Sequence, residues 1–324
     1  MIKELITVVI PTYNRKELLR KCLTCLNDQT LSKDAYEVIV VSDGRDEATE
    51  TAVVQYAAQC NFKLRFLSTR KKGGPASARN LGWLQALAPL VAFTDDDCLP
   101  KSNWLSEIVS NYNGEHLIAF SGKTVVPMPE LVTDFALNTA NLETASFITA
   151  NCACTKAALK KTGGFDESFR AAWREDSDLH FKFLENEINI VKLESAVVVH
   201  PVRSARWGVS LFEQNKGRFD ALLYSKYPGL FKSNLHVPIL GYYLILLATG
   251  LLLHNLFFGG KEIFGWAWAT VLVFLFGKLI YQRLQNRHKG LSQVAEMIFT
   301  SLLIPYLSVY WRIYGAVKYR VFYV

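Results

Sequence analysis

Apolar positions over the first two-thirds of the chain fall into two alternating spacings. Residues 5–11, 36–42, 63–68 and 90–94 are short runs rich in Val, Ile, Leu and Phe, and they read as buried strands. Between them, residues 15–28, 46–60 and 75–88 carry apolar side chains at helical spacing. Strands that alternate with helices need crossover connections. The pattern therefore predicts an α/β fold, a three-layer sandwich around a mostly parallel sheet with both faces covered. Sheets of this kind bind ligands beyond the carboxyl ends of their strands. The polar clusters Thr12-Tyr13-Asn14, Ser42-Asp43-Gly44 and Asp95-Asp96-Asp97 sit at those ends. Beyond residue 117 the order is less regular. Strands are expected at 117–126, 146–155 and 188–200, with a helix at 175–187.

The pattern changes near residue 233, which divides the chain into a 1–232 domain and a 233–324 membrane domain. No Lys, Arg, Asp or Glu occurs between Lys232 and Lys261, an uncharged run of 28 residues, enough to cross a bilayer. Residues 263–281 form a second such run, with Lys278 close enough to its end to snorkel. The turn between the two carries Lys261 and Glu262, whereas Arg283, Arg287 and Lys289 follow the second run. Positive-inside logic puts the latter group, and with it the 1–232 domain, in the cytoplasm. A third apolar stretch, 297–311, is about 15 residues long, short of a span. Arg312, Lys318 and Arg320 follow it, so it reads as an interfacial or re-entrant helix.

Charge agrees with this division. The net charge is +7, yet from Ser233 onward eight Lys and Arg stand against two Glu, which leaves about +1 for the first 232 residues. Cations that flank apolar segments suit anionic lipid headgroups, not nucleic acid. All six cysteines precede the tail. Cys22 and Cys25 lie within an apolar-periodic run, where core packing is the simpler role. The chain opens directly into a strand-like run with no charged-then-apolar leader, which fits a reducing cytosol.

Three polar elements carry candidate chemistry. Asp43, at a strand end, can accept hydrogen bonds from a base N–H or a ribose hydroxyl, although an Asp-Gly pair there is equally a turn signal. Asp95, Asp96 and Asp97 repel one another unless a divalent cation neutralises them. Oxygen ligands select Mg²⁺ or Mn²⁺, and the alternative is a solvated acidic loop. Glu175 and Asp176 begin a helix whose first turn favours ionised carboxylates, a common enough position for acidic residues without chemistry.

Taken in order, these elements resemble the inverting family 2 glycosyltransferases over roughly residues 5–225. The resemblance implies the nucleotide-diphospho-sugar transferase fold, known as GT-A. It implies that Pro11, Thr12, Tyr13 and Asp43 line a nucleoside pocket. Gly73-Gly74-Pro75-Ala76-Ser77-Ala78-Arg79-Asn80 matches the family's Gly-rich segment, with Arg79 and Asn80 near the donor. Asp95 and Asp97 match its D-x-D motif, Asp95 facing ribose and diphosphate beside Asp96, and Asp97 binding the metal. Asp176 matches the general base of its Glu-Asp pair, with Glu175 beside it and Trp173 just upstream as a substrate contact. His200 would join the metal or the diphosphate; the alternative is a strand-end histidine bonded to backbone. Arg203 and Arg206 suit the departing diphosphate, or are surface charge.

The implied reaction moves a sugar from a nucleoside-diphosphate sugar to a lipid-linked or glycan acceptor at the cytoplasmic face of the cell membrane, with membrane lipids as partners and no nucleic acid. Two departures stand out. Ser42 replaces the acidic residue that many members have before Asp43, and Gln214-Asn215-Lys216-Gly217-Arg218-Phe219 only loosely echoes the motif of processive synthases. The rival readings are a processive polysaccharide synthase and a non-catalytic nucleotide-sugar-binding membrane protein.

Overall fold

The computed structural model describes residues 4–235, 239–285 and 290–323, so Arg287 and Lys289, invoked for the orientation of the tail, lie outside it. The chain forms two compact units. The first comprises Met1–Pro127 and Ala140–Val202, and the second comprises Met128–Thr139 and Arg203–Val324.

The first unit is built on eight strands: β1 (Ile6–Thr12), β2 (Tyr36–Ser42), β3 (Lys63–Ser68), β4 (Leu90–Phe93), β5 (Leu99–Pro100), β6 (Ile118–Val125), β7 (Cys152–Thr155) and β8 (Asn189–Val199). Their order is β3-β2-β1-β4-β7-β6-β8-β5. The β3-β2-β1-β4 half is wholly parallel, as the strand–helix alternation predicts. The other half is mixed. β7 runs antiparallel to both β4 and β6, and β5 runs antiparallel to β8.

Strand alternation divides the core. Ile6, Val8 and Ile10 of β1 face a cluster shared with α1 (Lys16–Asn27), α2 (Glu47–Ala57) and α4 (Trp104–Ser110). Val9, Ile39 and Val41 face the opposite cluster, completed by α3 (Pro75–Leu84), α6 (Lys156–Thr162) and α7 (Glu175–Glu185). Helices therefore cover both faces, the three-layer arrangement expected. The remaining helix of this stretch, α5 (Asp134–Ala140), falls largely in the second unit.

The expected strand at 146–155 is present only from Cys152. Phe147, Ile148 and Ala150 are buried on irregular backbone, where apolar character alone cannot distinguish a strand. Asn151 replaces strand pairing with side-chain bonds. It accepts from Trp104 Nε1 at 2.8 Å and donates to the carbonyls of Lys123 and Ala196 at 2.9 and 3.0 Å.

The second unit contains α8 (Val209–Glu213), α9 (Gly217–Lys226), α10 (Pro228–Asn234), α11 (Leu240–Phe257), α12 (Glu262–Leu284) and α13 (Leu291–Lys318). It begins earlier than residue 233 because α8 and α9 pack along α13. The helices α11, α12 and α13 are each long and apolar enough to cross a membrane. The stretch at 297–311 is the middle of a 28-residue helix, so shortness is no ground for excluding a span.

Gly82 of α3 lets that helix lie directly on β1, since a Cβ there would stand 2.3 Å from Val9 Cγ1. Gly82→Ala is expected to destabilise the fold by about 1–3 kcal/mol through overpacking. Val9→Ala in the same chain should recover part of that loss, because the two sites touch. Thermal unfolding of the detergent-solubilised chain, for both single variants and the double, checks this.

Candidate active site

The site assembles at the carboxyl ends of β1, β2 and β4, with α7 contributing from the far side of α3. Arg79, on the first turns of α3 and only 2% exposed, is its centre. Its Nη2 donates to Asp95 Oδ1 at 2.7 Å and its Nη1 to Glu175 Oε1 at 3.1 Å. One guanidinium thus ties the carboxylates that follow β4 to those that begin α7. A planar fork with fixed donor directions can span two acids in this way, and a lysine cannot. Burial pushes the Glu175 carboxyl up to about 7, against the pull of Arg79 and helped by the charge of Asp176. Asp176, only half-buried, is also raised by burial, and the Ser177 amide, Arg174 and Arg79 oppose that rise. Of the two acids Asp176 is therefore the one that can meet a substrate, while Glu175 is held by Arg79. Arg174, at φ 73 in the left-handed region, turns the chain into α7, a strained conformation of the kind that gathers at functional sites. Its guanidinium lies 4.8 Å from the centre of the Trp173 ring, and Trp173 is 38% exposed.

The three adjacent aspartates separate into different roles. Asp96 is buried, and its oxygens accept from Thr12 Oγ1 at 2.8 Å and Arg15 Nη1 at 3.2 Å. It anchors the end of β1 to the end of β4, and burial pushes its carboxyl up to about 6. Asp95 faces Arg79. Asp97 meets His200, whose Nε2 lies 3.6 Å from Asp97 Oδ1. The pairing of Leu99 with Val199 between β5 and β8 brings about this meeting of residues a hundred positions apart.

Ligand atoms of Asp95, Asp97, Cys98 and His200 all lie within 4.8 Å of one another. The Asp97–His200 separation of 3.6 Å exceeds a hydrogen bond. His200 Nδ1 is buried and has no hydrogen-bond partner among the described residues. Two carboxylates and an imidazole fit Mn²⁺ or Mg²⁺. Cys98 fits neither, since its thiol is soft and burial pushes it well above the usual thiol range.

Asp43 serves the loop before α3. Its Oδ1 accepts from the Gly73 amide at 2.7 Å, and both its oxygens accept from the Gly74 amide at 3.0 Å. Gly74 has φ 94, and a Cβ there would stand 2.6 Å from the Arg170 carbonyl oxygen, so the loop leading to α7 rests directly on it. Pro11 and Thr12 are buried in the strand end. Tyr13 is half-buried with Lys72 Nζ 3.9 Å from its ring centre.

Asn80 departs from the expected substrate contact. Its amide nitrogen donates to Phe165 O and Glu167 Oε1, and its oxygen accepts from Trp83 Nε1 and the Phe165 amide. All four of its hydrogen-bonding positions are used within the protein, so it braces the Gly164 turn and not a ligand. Arg203 lies in the second unit, whereas the other residues named here lie in the first.

Sequence reasoning missed Arg15, Asp46 and Lys72. Asp46 caps α2 through the Thr49 amide and also accepts from the Asn14 amide at 2.7 Å, joining two strand-end loops. Only Lys72 carried a readable signal, since the cationic run Arg70-Lys71-Lys72 adjoins a Gly pair.

Residues 7–158 match the family model described as Glycosyl transferase family 2. Glycosyltransferase AglE of Haloferax volcanii is 33% identical over 124 residues, which is 38% of this chain and 40% of that protein. Validoxylamine A glucosyltransferase of Streptomyces hygroscopicus subsp. limoneus is 29% identical over 273 residues, 70% of this chain and 58% of that protein. The chain thus spans about half the length of these curated relatives. Among solved structures, the mannosyltransferase PcManGT from Pyrobaculum calidifontis, in complex with GDP-Man and Mn²⁺, superposes with a TM-score of 0.57 at 18% identity, covering 98% of this chain and 87% of that one.

Arg79→Ala removes the cation from between the buried Glu175 and the half-buried Asp95. It is expected to destabilise the chain by about 3–5 kcal/mol, the usual outcome of stripping one partner from a buried ion pair. Arg79→Lys should recover only part of this, because one ammonium cannot span both carboxylates. Thermal unfolding of the two variants distinguishes these outcomes.

Proposed function

We propose that this chain, whose residues 7–158 match the model of glycosyl transferase family 2, transfers a sugar, with inversion, from a nucleoside-diphosphate sugar to a lipid-linked or glycan acceptor at the cytoplasmic face of the cell membrane. One observation carries the reading. Arg79 holds Asp95 and Glu175 on a single guanidinium, so the donor-side and acceptor-side carboxylates share one cleft. Pure binding of a nucleotide-sugar needs no base poised beside it, which disfavours a silent binding protein.

Asp97, Asp95 and His200 would hold Mg²⁺ or Mn²⁺, which when bound supplies positive charge for the diphosphate as it leaves. Tyr13 and Lys72 offer a flat face and a cation to the nucleoside end, beside the loop braced by Asp43. Asp176 takes the proton of the acceptor hydroxyl as that oxygen attacks the anomeric carbon. Glu175 does not compete for this role, because its carboxylate is committed to Arg79. Trp173 gives the acceptor sugar an apolar ring to pack on, and Arg203 is assigned to the departing diphosphate. A single displacement inverts the anomeric centre and leaves no sugar on the enzyme. The apolar helices α11 and α12 anchor the chain at the membrane, where a lipid-linked acceptor would lie.

A donor screen with purified full chain and Mn²⁺, reading release of nucleoside diphosphate, tests the activity directly. No turnover of any donor in the presence of membrane lipid extract would defeat it. Asp176→Asn should lower transfer by about 10²–10⁴-fold while nucleoside-diphosphate binding persists, as measured by calorimetry. Unchanged transfer would remove Asp176 from the role of base. The base works ionised, and burial raises its carboxyl. The rate should therefore fall as pH drops through a value above the ordinary aspartate range, and a pH–rate profile of kcat checks the position of that limb.

A further inference from the structure

The second unit contains a helix whose surroundings decide how it meets a bilayer. Near its start, the carbonyl of Ser292 in α13 accepts from Trp207 Nε1 at 3.4 Å, and Glu296 accepts from the Gly208 amide at 2.6 Å. Further along, a Cβ on Gly315 would stand 2.9 Å from Arg218 Cα, so α13 lies directly on α9. Just past its end, the Tyr323 ring packs at 5.1 Å on Tyr224 and at 5.4 Å on Phe231. Over its whole length, then, α13 follows one run of the chain, 207–231, in the same direction. That run carries Glu213, Lys216, Arg218, Asp220 and Lys226. Charges at this density do not enter hydrocarbon.

A spanning helix would separate its two ends by about 30 Å along the membrane normal. The charged run, bound to both ends, would have to cross with it. The polar side chains of α13 itself agree. Arg312 is buried with its guanidinium 3.8 Å from the Tyr323 ring centre, and Thr300 and Ser301 both accept from Arg283 at the end of α12. Hydrogen bonds join α13 to α12 at Arg283 and to α11 at Thr249, which meets Tyr306. On the side of α13 away from the Gly315 contact with α9, Ile298, Leu302, Tyr310, Ile313 and Val317 are exposed at helical spacing and form an apolar stripe.

We infer that α13 lies in the plane of the membrane. Its apolar stripe enters the lipid layer, and its polar face is seated on α8 and α9 at the headgroup level. The occupant of the stripe is lipid, for two reasons. The α12 surface that flanks it is exposed and apolar, with none of its most apolar window buried. The cations Lys318 and Arg320 at the end of the helix match anionic headgroups. The inference rests on the reading that α11 and α12 cross the bilayer as a pair, and it is independent of the transfer reaction.

The test is sidedness of labelling in sealed vesicles. Cysteine is introduced singly as Ser292→Cys, Lys318→Cys or Lys261→Cys, with Cys25 and Cys60, the two half-buried native thiols, replaced by serine. An impermeant maleimide should label positions 292 and 318 from the face that carries the first unit, and position 261 from the other. Labelling of 292 and 318 from opposite faces, with 261 outside, would overturn the in-plane helix alone. Labelling of 261 from the face of the first unit would sink the paired spans and this inference together. Protease protection of a C-terminal tag on the otherwise unaltered chain gives the same answer without substitutions. The tag should be cleaved from the face of the first unit, and protection there would overturn the proposal.

Discussion

The cleft depends on one buried cation. Without the guanidinium of Arg79, the carboxylates after β4 and those at the start of α7 would face each other as uncompensated charge in a desolvated space, and the two elements would separate. With it, burial and attraction oppose each other, and Glu175 keeps a raised affinity for protons while remaining bound. A single side chain on α3 thereby sets the distance between Asp95, after β4, and Glu175, at the start of α7. The surrounding loops are held by similar means. Asp43 accepts from the Gly73 and Gly74 amides, Asp46 accepts from the Asn14 amide, and Asn80 brackets Phe165. Asp43 and Asp46 sit beside the ends of regular elements and Asn80 within α3, and each uses its capacity on a neighbouring loop.

Much of this was legible beforehand because the first half of the sheet is periodic. The limits of β2 and β3 follow from apolar runs bounded by polar residues, and the cluster at Asp95–Asp97 follows from its position after a buried strand. The second half of the sheet was harder to read. β5 is two residues long and has no pattern to detect, yet it carries Asp97 to His200. Phe147, Ile148 and Ala150 are apolar and buried without lying in a strand.

Motif matching proposed site residues but could not give their partners. Arg79, Asn80, Asp96 and Glu175 look alike in a string of conserved-looking polar letters. Only their partners reveal that Asn80 and Asp96 spend their hydrogen bonds on the fold, that Glu175 is tethered, and that Asp176 retains access. Lys72 went unnoticed for the converse reason. The basic run Arg70-Lys71-Lys72 marks the loop, but which of its cations stands over Tyr13 is set by the fold.

The close approach at Gly74 has a practical side. A library aimed at altering donor choice would naturally randomise the Gly-rich loop, since it borders the nucleoside end proposed above. At Gly74, however, any side chain collides with the Arg170 backbone, which leads into the helix bearing Asp176. Diversity introduced there would be filtered for folding before it was ever screened for selectivity. Tyr13 and Lys72, which pack on each other at the same edge, are the positions where such a search has room to succeed.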